Sequence, residues 1–207
     1  AQVSGLATSR IAALTSTQVN TLSSVQLQAL SAAQLNALDT ADVAVMGTSQ
    51  IQALTSNQVA SLSTDRVTAL TSAQIQALTS SQVAGLTTGQ VASLTTSQIE
   101  ALTTAQVQAL GSNQIASMSS TQIAAIQTAD LASLTTAQIT GLTTSAIESL
   151  TTAQVAALST AQVSALTNTQ LNALSSTQVQ AIETADVAAL TSAQVSGLAT
   201  GSVAALT

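Results

Sequence analysis

Large aliphatic side chains recur along this chain on a fixed eight-residue beat. Stepping by eight from Leu6 to Leu206 meets 26 positions, all Leu except Met46, Met118, Ile126 and Ile182. A second series of 26 runs from Val3 to Val203, and every member is Val, Ile or Leu. No insertion disturbs either series. Residues 1–207 therefore read as a single continuous array of octapeptide words, without a linker or a domain boundary. The array opens and closes in mid-word, as a segment of a longer array would.

With the first Leu as position zero, the polar slots are as regular as the apolar ones. Position one is Ser or Thr in 19 of 26 cases, and position four is Gln in 19 of 26. Position two is Ser or Thr at 23 of 25 places, and position seven is small everywhere except Val45. A continuous helix does not fit this pattern. Eight residues at about 100° each turn the apolar pair by roughly 80° per word, so no stripe forms. A flat strand fits badly too, because spacings of five and three put Leu and Val on opposite faces.

A helix start repeated every eight residues accommodates each slot. Ser/Thr-x-x-Gln is a capping box, in which the hydroxyl accepts from the backbone N–H three residues on and Gln reaches back to the cap's own N–H. The Leu before the cap and the Val at the fourth helical position form a hydrophobic staple. In Leu150–Leu158, LTTAQVAAL, the box is Thr151 with Gln154 and the staple is Leu150 with Val155. Each helix has about one and a half turns, too short to be stable alone, so neighbouring words must stack. The expected fold is all-α: a narrow solenoid of very short capped helices, one per eight-residue repeat. Leu and Val lie inside, with Ser, Thr and Gln outside. A β-solenoid with Thr-rich strands is the alternative. No 16- or 24-residue modulation decides between two and three words per coil.

Composition narrows the function more than the fold. Charged residues make up 5% of the chain and the formal net charge is −6, against about 25% charged in ordinary domains. Such a surface is wetted by hydroxyls and amides. Arg10 and Arg66 are the only basic residues, too few to neutralise a phosphate backbone, so no nucleic-acid partner is expected. No apolar run approaches the roughly 18 residues of a membrane span. Cys, His, Lys, Pro and aromatic residues are absent.

Catalysis needs a nucleophile with a base, paired acids or a metal. The serines have no His or Lys to activate them. Eight acids are present: Asp39, Asp42, Asp65, Glu100, Asp130, Glu148, Glu183 and Asp186. Asp39/Asp42 and Glu183/Asp186 are spaced as a calcium clip could be, but placement at helix N-termini, where the dipole favours negative charge, accounts for them better. Where position four is Asp (Asp42, Asp130, Asp186), position one becomes Asp39, Gln127 or Glu183. This paired change predicts that the two positions touch. Arg10 and Arg66 occupy the Gln slot of their words. No enzyme activity, no catalytic or cofactor-binding residue, no metal ligand and no cofactor is expected. The position-two hydroxyls form an outward ladder that keeps the surface soluble; the alternatives are that it binds ice or glycan, or carries O-linked sugars.

The word LTTAQVAAL, repeated throughout, resembles the octapeptide arrays of very large bacterial secreted and surface proteins of the adhesin or RTX-associated kind. That resemblance implies an extracellular or cell-surface fibre, stalk or spacer, whose partners are flanking repeats or further copies of itself. It transfers no catalytic residue, and the Gly-Gly-x-Gly-x-Asp words of calcium-binding RTX repeats are missing.

Overall fold

The computed structural model describes residues 3–206. After a short 3-10 turn at Val3–Gly5 come twenty-five α-helices, from α1 (Thr8–Ile11) to α25 (Thr200–Ala205), and no strand occurs among the described residues. The helices are four to six residues long, one per word, as the repeated start signal predicts, and the β-solenoid alternative falls away.

Each helix ends because the next word's first two residues are extended. After α10 (Ser80–Gly85), Leu86 has φ −59° and ψ 139°, and Thr87, the N-cap of α11 (Thr88–Ser93), has φ −70° and ψ 156°. Helix and extended pair alternate without a left-handed residue, and φ is negative throughout the described residues. The turn thus needs no glycine, which explains how the repeat dispenses with one.

Two compact units account for the packing, Ala1–Ala109 and Leu110–Thr207. In the first, α7 (Ser56–Ser61) packs against α10, and α10 against α13 (Thr104–Ala109). In the second, α18 (Thr144–Glu148) packs against α21 (Asn168–Ala173) by the same rule. Helices pack on those three words away, so each unit is a solenoid with three words to the coil.

The interior is built from positions five and zero. Val83 and Leu86 are 0% and 5% exposed in the first unit, and Ile139 and Leu142 are 0% and 4% exposed in the second. Both residues of the Leu150–Val155 staple are buried. Position seven is small because it faces position two of the coil beneath. A Cβ added to Gly85 would stand 3.2 Å from Ser56 Cβ, and one added to Gly141 would stand 3.0 Å from Ser112 Cβ.

Candidate functional site

The predicted capping boxes form. Thr151 Oγ1 accepts from the Gln154 N–H at 3.1 Å, while Gln154 Oε1 accepts from the Thr151 N–H at 2.8 Å. Thr87/Gln90, Thr71/Gln74 and Thr167/Gln170 repeat the pattern. Glycine at position one loses only the hydroxyl half: Gln50 still accepts from the Gly47 N–H at 2.8 Å, and Gln114 from the Gly111 N–H at 2.6 Å.

The position of glutamine departs from the expectation that it lies outside. Gln74, Gln82, Gln90 and Gln106 are each 2% exposed and Gln154 is 1% exposed. The cause is the half of the amide that the box leaves unused. Oε1 caps the glutamine's own helix, and Nε2 retains two hydrogens that burial would strand. They are donated to backbone carbonyls of the preceding coil. Gln82 Nε2 donates to Leu54 O at 2.6 Å and to Ile51 O at 2.9 Å, which lie 28 and 31 residues earlier. These carbonyls stand at the C-terminal end of α6 (Thr48–Ala53), where helix hydrogen bonding runs out: Leu54 is the C-cap, and Ile51 O has only the Leu54 N–H at 3.2 Å as a local partner. In the second unit Gln170 Nε2 donates to Leu142 O at 2.9 Å and Ile139 O at 3.1 Å. A single buried amide therefore completes the start of one helix and the end of another in the coil beneath it.

Words lacking this glutamine show what each half of the tie requires. Asp39 and Asp42 make a box from two carboxylates, at the N-cap and third position of α5 (Thr40–Val45). Asp42 Oδ1 also accepts from Ser16 Oγ at 2.9 Å, 26 residues back. Asp186 accepts from Thr160 Oγ1 at 2.6 Å in the equivalent way. Neither Gln127 nor Glu183 caps its helix through the side chain. The touching of positions one and four thus holds for Asp39/Asp42. Arg66 keeps the inter-coil half, donating from Nε to Leu38 O at 2.8 Å, and its Nη1 donates to Ser63 Oγ at 2.8 Å. Ala146, 2% exposed, supplies neither half, and Thr143 retains only the hydroxyl bond to the Ala146 N–H at 3.2 Å. Arg10 is exposed on α1, whose N-cap Ala7 offers no side-chain bond.

Position two behaves as an exposed row with a second job. Thr40, Thr64 and Thr88 are exposed one coil apart in the first unit, and Thr136, Thr160 and Thr184 likewise in the second. Some hydroxyls in this slot bond along the stack: Ser80 Oγ donates to Ala105 O at 3.4 Å and Ser120 Oγ to Ser145 O at 3.1 Å. Among the described residues no three acids gather as a metal site would require, and no helix is long and apolar enough to cross a membrane. A cleft in the second unit is lined by Val179, Gln180, Ile182, Thr184, Val187, Ala205 and Leu206, none of which ionises.

Short capped helices, three to a coil and joined by repeated amide ties, define a helical repeat solenoid. Within that class the chain belongs to the ALTTAQ repeat family, whose model matches residues 22–56, 35–72, 65–96, 91–127, 123–160 and 179–207. The family's hexad stands unaltered at residues 101–106 and covers positions seven to four of the word. No curated protein sequence matches the chain.

Proposed function

We propose that this chain is a structural repeat segment of an extracellular or cell-surface fibre, an adhesin stalk or spacer, and that it is not an enzyme. The observation that carries the reading is the recurrent tie. Position four, the most deeply buried polar slot, is spent on joining one coil to the next, as between Gln90 and the carbonyls of Val59 and Leu62. Stability in such an array is a sum of word and neighbour terms, so its length can be extended without redesign. Its partners are then further repeats of the same chain or other copies of it. Small-angle scattering on the purified chain tests this. An elongated particle is expected, and a compact isotropic one overturns the proposal.

A second reading, ice or glycan binding, is favoured by the in-register exposure of Thr40, Thr64 and Thr88. Replacing this row and its counterpart Thr136, Thr160 and Thr184 with Ala should abolish thermal hysteresis or glycan retention. Unchanged activity removes the reading.

A further inference from the structure

Words this similar raise a problem of register. If one whole word looped out, all later words would find chemically equivalent carbonyls one word further back, and every glutamine tie could form again. We infer that Asn36 and Asn172 are register pins, side chains that fix which word stacks on which.

Both asparagines occupy position six, and both point forward to the next coil. Asn36 Oδ1 accepts from the Ser63 N–H at 2.8 Å while its Nδ2 donates to Ser61 O at 2.7 Å. Asn172 does the same in the second unit: Oδ1 accepts from the Ala199 N–H at 2.8 Å and Nδ2 donates to Gly197 O at 2.9 Å. In each case the amide clasps a backbone N–H and C=O two residues apart, across a separation of 27 and 25 residues.

The N–H that each pin takes is the cap N–H that glutamine ordinarily holds. The pinned words are two that lack glutamine, with Arg66 and Ser202 at position four. Asn20 marks the rule from the other side. It also stands at position six, but the cap N–H it would have to reach belongs to Gly47, and Gln50 already accepts from it at 2.8 Å. Asparagine and glutamine thus compete for one donor, and the pin closes only on a word whose glutamine is missing. Such a word occurs at one place in the local stack, whereas ordinary words are interchangeable. A displaced register sets Asn36 against an occupied N–H and leaves the Ser63 N–H without its acceptor. Single buried asparagines fix register in coiled coils by a comparable mismatch cost.

The pairing beneath the second pin carries the same addressed character. Asn168 replaces Ser or Thr at position two and donates from Nδ2 to Ala193 O at 3.2 Å. It fits because position seven of the facing word is Gly197; a Cβ there would overlap the Asn168 amide.

Disulfide trapping in the first unit reads the register directly. Thr40→Cys with Ala69→Cys reports the native register, since the two are spaced along the chain as Ser56 and Gly85 are, which meet across neighbouring coils. Thr40→Cys with Ala77→Cys can close only if a word between them is looped out. Each pair is placed in the natural background and in Asn36→Ala/Arg66→Gln, which turns the pinned word into an ordinary Ser63-x-x-Gln box. The native pair should close in both backgrounds, which establishes that both are folded. Under redox equilibrium the displaced pair should be trapped on the order of tenfold more in the unpinned background, because the Asn36 Oδ1 bond to the Ser63 N–H and the stranding of that N–H no longer add to the cost of slipping. Equal trapping of the displaced pair in the two backgrounds overturns the proposal.

Discussion

Replacing Gln90 separates what its amide does from what its bulk does. Its Oε1 accepts from the Thr87 N–H at 2.8 Å, and its Nε2 donates to Leu62 O at 2.7 Å and Val59 O at 2.9 Å. Val59 O also accepts from the Leu62 N–H at 3.2 Å, so it keeps one partner when the amide is lost. Orphaning a buried polar group costs about 1–3 kcal/mol, and loss of a cap bond costs about 1 kcal/mol. Gln90→Met keeps most of the side-chain volume and should cost about 2–4 kcal/mol. Gln90→Ala adds the loss of buried methylenes at about 0.8 kcal/mol each, giving about 3–5 kcal/mol. Gln90→Glu is the sharpest variant. It preserves the acceptor that completes the box but points a second oxygen at two carbonyls, so it should be no more stable than Gln90→Ala at neutral pH. The assay is urea unfolding followed by far-UV circular dichroism, with Gln52→Ala, an exposed position-six change, as a control expected within about 0.5 kcal/mol of the natural chain. Natural stability in Gln90→Met refutes the tie as a net contributor. Gln90→Glu matching the natural chain shows that the box alone matters.

Two further substitutions probe the irregular words. Ala146→Gln should restore a tie from the Thr143 N–H to the Met118 and Ile115 carbonyls and raise stability by about 1–2 kcal/mol; a lower unfolding midpoint counts against equivalence of the words. Gly197→Ala should destabilise despite the better helix propensity of Ala, because the new Cβ collides with the Asn168 amide. Asn168→Ser in the same chain should recover the loss, and strict additivity of the two changes in a double-mutant cycle refutes the contact.

The helix starts and the staples were legible because they are local, each decided within one word, and the small position seven because it recurs at one slot of the word, although its cause lies a coil away. Three words per coil was not, since coil number follows from the angle set by a short helix and two extended residues. Near-identical words leave no signature of it at the coil's own period. The buried glutamine was missed because glutamine usually lies at the surface and because its second partner is 28 to 31 residues away. One signal was nonetheless present. Glu serves a capping box as well as Gln does, yet Glu100, Glu148 and Glu183 all avoid position four. A slot that takes Gln in 19 of 26 words and never Glu points to a use for the amide's donor, and where Asp42 and Asp186 stand instead the hydroxyl of the coil beneath supplies the proton. The pins carried a comparable signal, Asn36 and Asn172 each standing one coil before the cap of a word without glutamine.

The direction of the glutamine ties bears on how such a chain is made. Gln58 reaches back to Leu27 and Leu30, Gln98 to Val67 and Leu70, Gln178 to Ile147 and Leu150. A nascent chain emerges with its N-terminal end first, so each new glutamine finds its acceptors already synthesised and in place. The loop to be closed stays at the length of one coil however long the array becomes, and its entropic cost does not grow with the number of words. Folding can then keep pace with translation, laid down course upon course like brickwork, with no step that waits for the last residue.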